Sequence, residues 1–190
     1  MNLSYEEIVR TVYQQVTALD GLAEKAGKPL RHVKPHGALY NQAAVDERTA
    51  AAIADGVRKV GRPLLLVGLA GSRMLTVWQQ EGFRVVGEAF ADRRYEDDGT
   101  LRPRHYGDAL ITDPREAGEQ ALHIAHRGKI VSVTGKEIQV EAQTLCIHSD
   151  TPNAQSIAQS VRNVLRDAGI HVGASPQKST TNYANELFTC

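Results

Sequence analysis

Short apolar segments alternate with longer amphipathic segments along most of this 190-residue chain. Segments with the length and apolar content of buried strands lie at 29–35, 63–68, 83–90 and 143–148. Segments with helical spacing lie at 4–27, 43–60, 72–80, 114–127 and 152–168. Strands that alternate with helices favour a mostly parallel sheet or barrel with the helices outside. We therefore expect an α/β fold.

Both ends of the chain and one internal segment carry local signals of their own. Ser4 and Glu7 have the spacing of a capping box, which predicts a helix start. Residues 129–141 alternate around a turn and predict a small antiparallel β-hairpin, which we interpret as decoration. We expect a single domain over residues 1–172, followed by a polar, disordered tail over 173–190.

Composition narrows the classes of function. Lys and Arg total 22 and Asp and Glu total 22, so no overall basic field favours nucleic acid or a membrane surface. No apolar stretch has the length of a membrane helix, and the first ten residues lack a signal-peptide core. Two cysteines do not indicate a disulfide framework. We expect a cytoplasmic protein that handles a small polar molecule.

Polar residues follow three of the predicted strands, where the active sites of parallel α/β folds gather. Lys34 and His36 leave the first strand on one face, so they can share a pocket and hold an anion while the imidazole moves a proton. The alternative, that His36 caps the next turn and Lys34 pairs with a surface acid, is equally consistent with the spacing.

The other two strand ends carry carboxylates and a histidine. Glu88 is flanked by apolar residues, and such enclosure favours general acid or base use; the alternative is a buried Glu paired with Arg93 or Arg94. His148 with Asp150 resembles a base and its orienting acid. Equally, Thr151 can be the N-cap of the following helix, with Pro152 at its first position.

Several other motifs have simpler interpretations. The segment at 92–104 is long enough for a lid, and its arginines suit a carboxylate, although a solvated loop is as consistent. His32 and His36 are roughly 13 Å apart along a strand, too far for one metal ion. Glu119, His123 and His126 are interpreted as a solvated helix surface. The glycines at 68 and 71 predict a tight turn, without the spacing of a Walker A loop.

Three segments carry a resemblance to a known family. They are Arg31–Asn41, Glu88–Tyr95 together with Gly99–Leu101, and Thr144–Ala154. At these segments the sequence closely resembles the LamB/YcsF family, the A subunits of bacterial ATP-dependent 5-oxoprolinases. Matching helices extend the resemblance over nearly the whole chain up to Val172.

The resemblance implies a fold, a reaction and partners. The fold is a distorted β/α barrel, which we expect to be incomplete because the family's N-terminal strands have no counterpart in this sequence. The reaction is the ATP-driven opening of the lactam of 5-oxoproline to L-glutamate, with partner subunits B and C. ATP is thus the expected cosubstrate, no metal ligands are assigned, and self-association stays open.

By matching motif, the resemblance also makes ten residues candidates for the site. The candidates for catalysis are Lys34, His36, Glu88, His148 and Asp150. The candidates for substrate binding are Tyr40, Asp92, Arg93, Arg94 and Tyr95. Two rival functions remain: a non-catalytic remnant or assembly component that binds subunits B and C, and a metal-dependent hydrolase similar to barrel-type deacetylases.

Overall fold

The computed structural model describes residues 3–173 and 186–189. Contacts between Cα atoms group the chain into two compact units, residues 1–86 and 87–190. The single domain expected over residues 1–172 stays a prediction.

The first unit contains four helices, two strands and the beginning of a third. Its elements are α1 (Tyr5–Lys25), β1 (His32–Val33), α2 (Gly37–Val45), α3 (Glu47–Arg58), β2 (Leu65–Leu69), α4 (Arg73–Gln80) and the first residues of β3 (Val85–Phe90). β1 pairs with β2 in parallel, with His32 opposite Leu65. Parallel pairing across an intervening helical segment is the arrangement that the alternating sequence predicted.

Helix α1 begins and packs as its sequence predicts. The Ser4 side chain accepts a hydrogen bond from the Glu7 amide, and the Glu7 carboxylate accepts one from the Ser4 amide, so the capping box is confirmed. The buried face of α1 consists of Ile8, Val9, Val12 and Val16. This face packs against α3. Helix α3 also contacts α4, where the buried Trp78 indole donates a hydrogen bond to the carbonyl of Ala50 in α3.

Two helices replace the single helix expected over residues 43–60. α2 begins earlier, at Gly37, and ends at Val45. The break falls at Asp46, which has an extended conformation and accepts a hydrogen bond from the Thr49 amide as the N-cap of α3. A capping aspartate inside an apolar helical pattern therefore starts a second helix.

In the part of the second unit that the structure describes, residues 87–173 and 186–189, there are most of β3, two helices and five further strands. Its elements after β3 are α5 (Pro114–Arg127), β4 (Lys129–Val131), β5 (Glu137–Gln139), β6 (Thr144–Cys146), α6 (Ala154–Asp167), β7 (His171–Gly173) and β8 (Glu186–Thr189). β3 pairs with β6, β6 with β8 and β8 with β7, all in parallel. β4 and β5 form the predicted antiparallel hairpin, with Ile130 opposite Ile138.

The polar tail expected over residues 173–190 is described in part. Gly173 ends β7, and residues 186–189 form β8. Residues 174–185 and 190 lie outside the described part of the chain, so the expectation of disorder there stays a prediction.

Helix α6 starts two residues later than expected. The sequence predicted Thr151 as the N-cap and Pro152 as the first helical residue, whereas the N-cap is Asn153 and α6 begins at Ala154. Asn153 has a left-handed conformation, with φ of 64°, and this turn delays the helix. The prediction was wrong because the Thr151 hydroxyl has another partner, described below.

Gly56 marks the closest approach between α1 and α3. A Cβ atom at this position would lie 2.8 Å from the carbonyl oxygen of Val9 and 2.8 Å from the Cβ of Val12. The Val9 carbonyl belongs to the backbone of α1, and the Val12 Cβ is attached directly to that backbone. Moving either atom to relieve the clash would disturb the packed helix and cost free energy. The two helices therefore depend on the missing side chain.

We expect Gly56→Ala to lower the free energy of unfolding by about 1–3 kcal/mol, because the clash outweighs the better helix propensity of alanine. Gly21→Ala is the matched control in α1, where nothing lies within 4 Å of the added carbon. It should stabilise by up to about 1 kcal/mol. Urea denaturation of both variants checks this prediction, and equal shifts of the same sign would contradict it.

Candidate functional site

The clearest polar cluster in the second unit surrounds Asp92, which follows β3. Asp92 is fully buried. Its Oδ2 accepts hydrogen bonds from the His148 amide at 2.9 Å and from the Thr151 hydroxyl at 2.6 Å. The Nδ1 atom of His148 lies 3.0 Å from the same oxygen and 3.2 Å from Oδ1. One carboxylate thus holds the backbone and two side chains of the segment after β6.

Asp92 is ionised in this environment. Burial alone would raise the pKa of its carboxyl group, but the hydrogen bonds from the His148 and Thr151 side chains and from the His148 amide, together with the interaction with the His148 ring, hold the pKa below its ordinary value. An ionised carboxylate only accepts hydrogen bonds, so the proton in the contact with His148 belongs on Nδ1. The Nε2 atom is then the basic nitrogen of the ring.

The His148 ring is held from a second direction by Phe90. The two rings are stacked, with centroids 5.2 Å apart and planes inclined by 13°. The His148 side chain is partly exposed to solvent, with a fractional exposure of 26%. An imidazole that is oriented on one side and reachable on another has the arrangement of a general base.

The end of β3, which carries Asp92, is fixed by two side chains. The buried Tyr95 hydroxyl accepts a hydrogen bond of 2.7 Å from the Phe90 amide. The Gln120 carboxamide on α5 donates to the carbonyls of Phe90 at 2.7 Å and Arg93 at 2.9 Å, with a longer contact of 3.3 Å to Ala91. These bonds give hydrogen-bond partners to backbone groups at and just beyond the end of β3.

Tyr95 stays a neutral hydroxyl at this position. Burial raises its pKa above the ordinary value, and the nearby carboxylates of Glu88 and Asp92 raise it further. The Tyr95 hydroxyl is bonded to the backbone of β3, and its expected contact with substrate stays a prediction. Tyr95 therefore supports the site by fixing the backbone of β3.

Glu88 lies within β3, opposite Thr144 of β6. Both side chains are buried, and Glu88 has no exposed surface. Its apolar neighbours predicted this enclosure, while its role in catalysis stays a prediction.

The structure corrects the acid expected to orient His148. The sequence suggested Asp150, two residues along the chain. Asp150 instead pairs with Arg104, at 2.7 Å and 3.4 Å, and Asp92 orients the ring. Asp92 was expected to bind substrate, but it is buried beneath the imidazole. Residues 56 positions apart in sequence make this contact, so spacing alone could not reveal it.

The two arginines expected to hold substrate have partners within the protein, and their role in binding stays a prediction. Arg93 is buried, and its guanidinium donates to the carbonyls of Arg102 at 2.6 Å and Ala109 at 3.4 Å. Arg94 forms an ion pair of 2.6 Å with Glu116 on α5. Both arginines therefore stabilise the segment between β3 and α5.

That segment is folded, and the hairpin helps to hold it. Two isolated antiparallel β-bridges pair the backbone of Arg93 with that of Leu110 and the backbone of Tyr95 with that of Leu101. The Asp97 carboxylate accepts hydrogen bonds of 2.6 Å from the hydroxyls of Ser132 and Thr134 in the hairpin turn. The hairpin was expected to be decoration, but its turn anchors this segment.

The remaining candidates lie in the first unit. His32, Lys34 and His36 all line one cavity of about 520 Å³, together with apolar side chains of α1. His36 is the N-cap residue of α2, but its side chain makes no capping hydrogen bond. The Lys34 ammonium lies 6.0 Å from the centre of the Tyr40 ring. The common pocket expected for these residues with Glu88 and His148 stays a prediction.

Two negative findings concern the described residues only. Across residues 3–173 and 186–189, no cluster of three or more His, Cys, Asp and Glu side chains is arranged to hold a metal ion. Within the same residues, none of the helices combines the length and apolar character needed to cross a bilayer.

Comparison with known proteins identifies the family. The family model described as "LamB/YcsF family" matches residues 1–180. The chain belongs to the LamB/YcsF family. This confirms the resemblance drawn from the three sequence segments.

Individual relatives of this LamB/YcsF chain carry a common name. The A subunit of the 5-oxoprolinase of Heliobacterium modesticaldum is 45% identical over 179 residues, which cover 94% of this chain and 70% of that protein. The protein of the same name from Chloroflexus aurantiacus is 49% identical over 176 residues, which cover 93% of this chain and 69% of that protein.

A solved structure shares the fold. The crystal structure of a lactam utilization protein from Thermus thermophilus matches with a TM-score of 0.80 and 44% sequence identity, over 89% of this chain and 67% of that one. This likeness confirms the predicted fold class, a distorted β/α barrel with parallel strands, outer helices and a small hairpin.

We expect Asp92→Asn to lower the free energy of unfolding by about 1–3 kcal/mol near neutral pH. The reason is that the side-chain amide of asparagine has one acceptor oxygen and cannot accept all the hydrogen bonds that the Asp92 carboxylate accepts. The lowered pKa of Asp92 means that its carboxylate stabilises the folded state fully above about pH 4. This contribution is lost as the pH falls further, through the folded pKa. Wild type and variant should therefore converge in urea denaturation below about pH 4.

Thr151→Val is the matched control for this measurement. It removes one donor and leaves the carboxylate, so its loss should be smaller, about 1 kcal/mol. A difference between wild type and Asp92→Asn that stays constant from pH 7 to pH 3 would contradict the ionised state of Asp92.

Proposed function

We propose that this chain acts as the A subunit of an ATP-dependent 5-oxoprolinase, and that Asp92 and His148 manage proton transfer as the lactam opens. The observation that carries the proposal is the buried Asp92 carboxylate on Nδ1 of His148, in a chain whose relatives are named as A subunits of 5-oxoprolinase. We propose subunits B and C as its partners, because the lettered name of these relatives implies a complex of several chains.

The proposed chemistry follows from the orientation of the ring. Nε2 of His148 takes a proton from water as the water oxygen bonds to the lactam carbonyl carbon. Asp92 stabilises the resulting imidazolium through Nδ1. The ring then gives the proton to the lactam nitrogen as the carbon–nitrogen bond breaks. The product is glutamate, with the atoms of one water added.

Glu88 has a supporting place in this proposal. It is fully buried, and its charge is close enough to raise the pKa of Tyr95. We propose that Glu88 adds to the negative charge around the end of β3, beside the Asp92 carboxylate.

ATP enters the proposal through the family alone. The turn at residues 68–72 is a tight turn: the Ser72 hydroxyl donates to the Leu69 carbonyl at 2.6 Å, and Gly71 has a φ of 76°. A hydroxyl committed in this way does not fit a phosphate-binding loop.

The direct test is glutamate release from 5-oxoproline and ATP by the assembled enzyme with subunits B and C. We expect His148→Gln to lower kcat by about 10²–10⁴-fold, because it removes the proton-transferring group. Asp92→Asn should also lower kcat, since the ring loses the carboxylate that orients it. His126→Gln on the exposed surface of α5 is the control and should keep full turnover.

Each outcome has a defined meaning. Full turnover by a folded His148→Gln variant would remove the proposed role of the ring. A wild-type chain that assembles with subunits B and C without supporting turnover would favour the non-catalytic alternative.

A further inference from the structure

The segment between β3 and α5 contains four arginines with different partners. Arg93 donates to backbone carbonyls, and Arg94 pairs with Glu116. Arg102 is held by the carboxylates of Glu96 and Asp108, and its guanidinium lies 4.2 Å from the centre of the Tyr106 ring. The acid that holds Arg104 differs from these, since it belongs to the segment that carries His148.

Arg104 pairs with Asp150 beside the Asp92 cluster. Its two terminal nitrogens lie 2.7 Å and 3.4 Å from the two oxygens of the Asp150 carboxylate. Asp150 stands between His148 and Thr151, and both of these are bonded to Asp92. The pair therefore sits next to the proposed base.

Both members of this pair are accessible. The Arg104 side chain keeps 44% of its exposure, and the Asp150 side chain keeps 64%. Exposed ion pairs contribute little free energy, so a second carboxylate can take the place of the first at low cost. The planar guanidinium also suits the two oxygens of any carboxylate.

We propose that Arg104 binds the carboxylate of the lactam substrate, and that Asp150 occupies Arg104 when the site is empty. This inference rests on the proposed function and names the specificity-determining residue of the same site. The ligand class is a small lactam with a free carboxylate.

The charges around the cluster support this assignment. Asp92 is a buried anion, which would repel the carboxylate of an approaching substrate. The hydrogen bond to Asp150 and the charge of Asp92 both raise the pKa of the Arg104 guanidinium, and the geometry pairs Arg104 with a residue two positions from His148. A substrate carboxylate that binds Arg104 is therefore neutralised beside the segment that carries His148.

Exchange of one carboxylate for another keeps the Arg104 guanidinium paired throughout. When substrate binds Arg104, Asp150 is released to solvent, where a carboxylate is well hydrated. A lactam without a carboxylate cannot displace Asp150 in this way. Arg104 would thus select for the acidic lactam by binding energy, while the ring of His148 acts on the amide.

The test compares the two members of the pair in the assembled enzyme. Arg104→Met should raise the KM for 5-oxoproline at least about tenfold, because the bidentate contact with the substrate carboxylate is lost. Asp150→Asn should lower this KM, by up to about fivefold, because the internal competitor is gone. If the ion pair were only structural, Arg104→Met and Asp150→Asn would both raise the KM by a similar factor, because each substitution breaks the same pair.

The uncharged analogue 2-pyrrolidinone separates carboxylate binding from general damage. Its inhibition constant against 5-oxoproline should stay within about twofold in Arg104→Met, because it has no carboxylate to lose. Arg104→Lys keeps the charge without the fork and should recover part of the KM.

The outcomes that overturn the inference are distinct from failure of the proposed function. An unchanged KM in Arg104→Met, or an equal rise of KM and of the inhibition constant, would overturn the role of Arg104 while wild-type turnover stands. Absence of 5-oxoproline turnover in the wild-type assembly would overturn the proposed function itself.

Discussion

The carboxylate of Asp92 is the interaction on which the candidate site depends. It is fully buried, and it accepts hydrogen bonds from the amide and ring of His148 and from the hydroxyl of Thr151. A buried carboxylate is costly unless donors surround it. Here the donors come from the segment after β6, so the bonds that make the charge tolerable also set the position of the imidazole.

The surrounding structure keeps this carboxylate in place by satisfying the backbone around it. The Tyr95 hydroxyl and the Gln120 carboxamide bond to the end of β3, and the hairpin turn holds Asp97 further along the same segment. Side chains outside the cluster, such as the polar Gln120 on α5, therefore determine where the Asp92 carboxylate lies. Catalytic geometry of this kind needs support from neighbouring residues as much as from those that react.

Local features of the fold were predictable, whereas contacts across the sequence were not. The capping box of α1, the start of α5 at Pro114 and the hairpin follow from short-range chemistry, and all are confirmed. The partner of His148 was assigned to Asp150 because the two are neighbours in sequence. Asp92 is 56 residues away and reaches the ring only because β3 and β6 pair in parallel. Thr151 was likewise assigned from its sequence neighbours, as a helix cap, whereas its hydroxyl donates to the distant Asp92.

The central claim is that Asp92 fixes the proton of His148 on Nδ1 and leaves Nε2 as the basic nitrogen. Nitrogen-15 NMR of the His148 ring, at a pH where the imidazole is neutral, measures this tautomer directly. The account predicts a protonated Nδ1 and an unprotonated Nε2 in the wild-type chain, and loss of this preference in Asp92→Asn. A ring that carries its proton on Nε2 in the wild-type chain would contradict the account.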